Sequence, residues 1–116
     1  MATIPMTIET VDGTRIMRAT WSGIGNGDNG QTMDYPEWAD RNIQVFGTFG
    51  VGGALSFEGS NDQSNWVTLH DATGSTISFS TAGVKMILEN VLYVRPVVVG
   101  DGTTSLTAIM VARRTN

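Results

Sequence analysis

The residues that could do chemistry are few. His70 is the single histidine, and cysteine is absent. A serine-type triad would need a serine and an acid meeting His70 in space. No nucleophile-elbow motif supplies that serine. His70 ends an alternating stretch, where a lone histidine reads more simply as a surface or turn residue. Phosphate loops, dinucleotide fingerprints and zinc-spaced histidine pairs are also lacking. Without cysteine there is no disulfide framework, zinc ribbon or thiol nucleophile. The sequence points away from an enzyme and implies no cofactor.

Oxygen ligands come closest to a pattern. Asn26, Asp28 and Gly30 fall at alternate positions, and Glu37 lies where a calcium loop would place its bidentate ligand. The match then fails, because the sixth position is Gln31 rather than glycine and flanking helices are missing. Asn61, Asp62 and Asn65 could also offer oxygens, but Asn and Asp in a short connection ordinarily bond nearby backbone. No metal is expected. Trp21, Tyr35, Trp38 and Trp66 could build a sugar platform, although tryptophan more often anchors a core or an interface.

Alternation with a period of two positions these residues, and helical periodicity is nearly absent. Thr76 to Ser80 sets Ile77 and Phe79 against three hydroxyls. Ala54 to Glu58, Trp66 to His70 and Asn42 to Phe49 repeat the pattern, and it predicts Leu55, Phe57, Val67, Leu69, Ile77 and Phe79 inside. Further strands are expected over Met6–Thr10, Thr14–Trp21, Val91–Val99 and Leu106–Val111. The last two carry apolar residues on both faces, which suggests a central position or a contact with another subunit. Between them Gly100-Asp-Gly-Thr103 predicts a hairpin turn. Gly23 to Gly30 has four glycines in eight residues and reads as irregular. Asp34 to Arg41 reads as a segment holding one helical turn, with Pro36 at its first position.

The chain of 116 residues is one domain, 41% apolar and 16% charged, at a net charge of −4. That is too apolar for disorder and carries no basic stripe for nucleic acid. Arg113 and Arg114 form the one basic pair and read as a solvated terminus. No apolar run approaches a membrane span, and the opening residues lack a secretory signal's basic and apolar regions. The expectation is an all-β, single-domain antiparallel β-sandwich, jelly-roll-like, over residues 1–116. An extended N-terminal arm would cover residues 1–6.

Several stretches then carry a resemblance. They are Val45-Phe-Gly-Thr-Phe-Gly-Val-Gly-Gly-Ala-Leu-Ser-Phe-Glu-Gly-Ser-Asn-Asp62, Trp66-Val-Thr-Leu-His-Asp71 and Tyr93-Val-Arg-Pro96. Gly100-Asp-Gly-Thr-Thr-Ser-Leu-Thr107 and Val111-Ala-Arg-Arg114 follow, and Ala19-Thr-Trp-Ser-Gly23 with Ala39-Asp-Arg41 precede them. In this order they resemble small all-β virion structural proteins of tailed bacteriophages, most similar to capsid decoration (cement) proteins. The resemblance spans Ala19 to Arg114, and the order of the motifs is more specific than any one of them. It implies a protein made in the host cytoplasm that binds the outer surface of the major capsid shell and stabilises it. It carries over no catalytic residues. Another virion component (head-completion or tail protein) and a carbohydrate-binding adhesin domain are the competing readings.

A shell-binding role needs a few anchors. The interface candidates are Tyr35 and Trp38 in the irregular segment, and Ile4 and Met6 in the arm. The doubly apolar last strands suggest a homo-oligomer. Capsid geometry favours a trimer over a dimer. The expected partner is the major capsid protein, with no nucleic acid and no membrane.

Overall fold

The computed structural model describes residues 2–11, 15–34 and 37–114. Eleven strands follow one another among the described residues: β1 (Thr3–Ile4), β2 (Met6–Thr10), β3 (Ile16–Ile24), β4 (Asn29–Gly30), β5 (Ala39–Thr48) and β6 (Ala54–Ser60). The rest are β7 (Val67–Thr68), β8 (Ser78–Phe79), β9 (Gly83–Met86), β10 (Tyr93–Val99) and β11 (Ser105–Arg113). No α-helix occurs among the described residues. The strands form two sheets. The first runs β1-β4-β10-β6-β7, with β8 also on β6, and the second runs β2-β3-β11-β5-β9. Every strand pair is antiparallel except β1 with β4. The architecture is the expected β-sandwich.

Alternation builds the core, because every second side chain of a strand faces the opposite sheet. Met17, Ala19 and Trp21 of β3, Ile43 and Val45 of β5, and Leu106, Ala108, Met110 and Ala112 of β11 point inward from the second sheet, all at most 2% exposed. Leu55 and Phe57 of β6 and Val94 and Val98 of β10 meet them from the first. Trp21 and Phe57 touch edge to face, with ring centroids 5.8 Å apart. The indole Nε1–H of Trp21 donates to the Gln31 carbonyl at 2.9 Å, which satisfies its polar atom inside the core. Gly30 lies directly against Trp21 and Pro96, where any Cβ would collide with both.

Among the described residues one charged side chain is buried. Arg41 is 1% exposed, and its Nε and Nη1 donate to the carbonyls of Trp38 and Val91. Burial pushes the guanidinium below its ordinary value, but arginine keeps its charge in proteins. It acts as a clamp between the segment entering β5 and the one leading to β10.

Five expectations change. Gly100 to Thr103 is not a hairpin turn, since β10 lies in the first sheet and β11 in the second. The Asp-Gly reversal instead carries the chain across the sandwich. Val67 is 61% exposed rather than inside. It pairs with Gly59 on a two-residue edge strand, and the space over Gly59 is filled by Leu69 and Val91. The glycine-rich 23–30 stretch is partly regular, since β3 runs to Ile24 and β4 covers Asn29–Gly30. Ala39 to Arg41 is strand, not helix, while Tyr35 and Pro36 lie outside the described residues. Finally, β9 is an edge strand that the pattern left unassigned.

Leu69 and Val67 therefore separate core from margin. Leu69→Ala should lower unfolding free energy by about 2–5 kcal/mol, whereas Val67→Ala should stay within about 0.5 kcal/mol. Urea titration of the two variants measures both.

Candidate interaction surfaces

The side chains singled out by type turn out to be structural ties. His70 donates its backbone N–H to Glu89 Oε1 at 2.8 Å, and its Nδ1 lies 2.6 Å from Glu89 Oε2. Partial burial pushes the Glu89 carboxyl up, but the hydrogen bonds from His70 together outweigh it and hold the group below its ordinary value. The pair fastens the 87–92 segment to the 69–71 turn, where Leu88 N–H also donates to the His70 carbonyl. Asp62 accepts the amides of Asn65 and Ser64, the Asn65 side chain and the Ser60 hydroxyl. Those bonds hold it well below the usual carboxylate range. Asn61 Oδ1 accepts Leu92 N–H. Glu37 does not join Asn26 and Asp28. It borders a cleft with Asp40, Arg113 and Arg114 at the far end of β11.

The tryptophans do not assemble a platform. Trp21 is at 0% exposure and Trp38 at 7%. The Arg114 guanidinium lies 4.8 Å over the Trp38 ring, and that of Arg95 lies 3.9 Å over Trp66. Trp38 thus closes the core beneath Arg114 and is not an exposed anchor. Tyr35 falls outside the described residues.

Ile4 and Met6 also differ from expectation. The N-terminal segment is not a free arm. Ala2 N–H donates to Asp28 Oδ1, Asn29 N–H to the Ala2 carbonyl, and Gln31 N–H to the Ile4 carbonyl. Met6 N–H then donates to Gln31 Oε1, after which β2 joins β3. Ile4 and Met6 pack, partly buried, against the core. Pro5 lets one short extended segment leave the first sheet and enter the second, since it fixes φ and has no N–H to satisfy.

Among the described residues, one end and one face stand out as surfaces for recognition. At the end, three connections converge: residues 25–28, 49–53 and 100–104. Asn26 Oδ1 accepts Gly100 N–H at 3.0 Å, and Asp101 Oδ2 accepts Val51 N–H at 3.0 Å. The Thr104 hydroxyl donates to the Phe49 carbonyl at 2.7 Å. Gly50 has φ +71°, and a side chain there would run into Asp101, Thr103 and Thr104. The loops form a pre-ordered platform rather than a conforming flap. Val51 projects from it at 81% exposure, the most exposed of the large apolar residues described. The Thr103 hydroxyl, then the Thr103 and Val51 amides, hold the Asp101 carboxyl down at about 2.

The open face is the outer side of the second sheet. Register places Thr7, Thr20, Ile109, Gln44 and Val84 in one row across all five strands. Glu9, Arg18, Val111, Asn42 and Met86 form the next row. Phe46 follows on β5, and Phe46, Val84 and Met86 are exposed. The Glu9 carboxylate and Arg18 Nε pair at 2.8 Å. Lys85 alone on β9 turns inward, 5.1 Å over Phe79 and 4.0 Å from Asp71 Oδ2. The sequence carried a signal for this strand in Val84-Lys85-Met86, but alternation alone does not say that lysine takes the inner side.

No family model matches the chain, and no curated protein matches it by sequence. Among solved structures, the fold is similar to that of the SPBc2 prophage-derived protein YomS. The TM-score is 0.59 at 12% identity, covering 89% of this chain and 98% of that one. Protein NMB1881 from Neisseria meningitidis matches at a TM-score of 0.41 and 11% identity, over 93% of this chain and 82% of that one. The first likeness is one of fold alone, and the second is too loose to carry an argument.

The platform has an acid limb. Unfolded, Asp101 returns to its ordinary 3.8, so its folded value near 2 adds stability that is complete above 3.8 and lost as pH falls through 2. Melting temperature should hold from neutrality to about pH 4, then fall towards about pH 2. Asp101→Asn should flatten part of that fall, and calorimetry across this window reads it.

Proposed function

We propose that the chain is a non-enzymatic structural protein of a tailed-phage particle, a capsid decoration (cement) protein on the outer surface of the major capsid shell. The observation that carries the reading is the loop platform, whose connections are already fixed to one another and whose tip presents Val51. A docking surface ordered before contact loses little conformational entropy on binding, so modest apolar and polar contacts suffice. Attachment only to assembled subunits stabilises the shell by linkage, because separating them also exposes the surface that the decoration covers.

Two further facts support it. The fold is shared with a prophage-derived protein. The side chains that could have done chemistry are taken up in ties within the fold, as with His70 on Glu89 and Asp101 on Val51 and Thr103. The fold likeness fits a head-completion or tail protein equally well, which remains the second reading. The carbohydrate reading has less support, because Trp21 and Trp38 are buried and Trp66 is capped by Arg95. The net charge of −4 favours a protein partner over nucleic acid.

Cosedimentation with purified empty shells tests the proposal. The wild-type protein should saturate the shells, and Val51→Asp should weaken attachment about tenfold or more, as expected for an apolar anchor lost from an interface. Its melting temperature should not change. Unchanged attachment would remove the platform from the contact, and binding to tails but not shells would favour the second reading.

A further inference from the structure

We infer that the outer face of the five-stranded sheet binds a second copy of this chain about a two-fold axis. The inference deepens the proposed structural role by naming a contact within the decoration itself, and it can fail while that role stands.

The chemistry of the face favours its own copy. Asn42, Gln44, Thr20 and Thr107 carry amides and hydroxyls, which both donate and accept, so each can pair with an identical group. Carboxylates and ammonium groups cannot do this. Across the two central rows the one acid, Glu9, is already neutralised by Arg18. The chain as a whole carries −4, so two copies repel unless they meet where carboxylates are absent or paired. From Asn42 to Phe46 on β5 and across β9 the outward positions carry no carboxylate, and Phe46, Val84 and Met86 lie exposed there at 41%, 62% and 46%; Asp40, the one acid of β5, lies beyond that stretch at the cleft with Arg113 and Arg114.

Edge pairing is the less suitable route. Inward-turned lysines are a recognised guard against strand addition, and Lys85 on β9 is placed in that way. Burying the face leaves this guard untouched. Five strands of 4 to 10 residues, about 4.8 Å apart, give a footprint on the order of 600 Å². That is near the lower end of stable interfaces, which bury roughly 800 Å² per partner, so the contact is of the weak, reversible kind. A single flat patch meeting itself closes as a dimer. A trimer would need two different complementary patches. The two-fold thus replaces the three-fold expected from capsid geometry.

Sedimentation equilibrium of the full chain without shells tests the inference. The wild-type mass should rise from one chain to two across the micromolar range. Gln44→Glu and Gln44→Lys sit on the exposed face and should leave circular dichroism unchanged. Each alone should weaken the dimer about tenfold or more, since like charges then oppose near the axis. An equimolar mixture of the two should recover association. A single-chain mass throughout, a trimeric mass, or a dimer indifferent to both variants would overturn it. So would a monomeric wild type whose shell binding is lost on Gln44→Glu, because the face would then belong to the shell.

Discussion

The contact between Trp21 and Phe57 holds the two sheets in one register. Trp21 is the largest side chain projecting from the second sheet, and Phe57 meets it from the middle of β6 at an interplanar angle of 73°. An indole can occupy the centre of a sandwich only if its N–H is satisfied and its faces are covered. The Gln31 carbonyl does the first, and close approach of the Gly30 backbone does the second. Both lie in the stretch that also receives the N-terminal segment through Gln31 N–H and Oε1. Placing Trp21 therefore fixes β4, and β4 in turn fixes β1 and the entry to β2. The N-terminal residues become part of the fold for this reason and do not reach outward.

Much of the fold was legible because burial on one face imposes a period of two. That pattern located β2, β5, β6, β10 and β11 within a few residues and assigned Leu55, Phe57, Leu69, Ile77 and Phe79 to the core. The same pattern says which side a residue faces and nothing about which strand lies beside it. Gly100 to Thr103 illustrates the loss. An Asp-Gly reversal serves a hairpin and a crossing between sheets equally well, and the difference lies in the distant bonds to Val51 and Phe49. Val67 fails for a related reason, since it sits on an edge strand where the opposite sheet no longer covers every inward position.

The candidate surface was less legible than the fold. Of the interface candidates chosen by residue type, Trp38 was drawn into the core and Ile4 and Met6 pack partly buried against it, because large apolar side chains gain most from burial. Tryptophan marks hot spots only when the fold leaves it exposed, and here Arg114 and Arg95 cover two of the three. Val51 gave little sign, being one valine among four nearby glycines. It is exposed because those glycines permit a turn whose backbone is held by Asp101 rather than by packing.

The proposed decoration role requires the sandwich to bind a capsid shell through its loop platform. A cryo-EM reconstruction of shells decorated with the purified protein tests it most directly. The expected result is sandwich-shaped density on the outer shell surface, with residues 25–28, 49–53 and 100–104 against the capsid subunits. Density seated on the shell through the opposite end, around Glu37, Arg113 and Arg114, would contradict it, as would density confined to the tail.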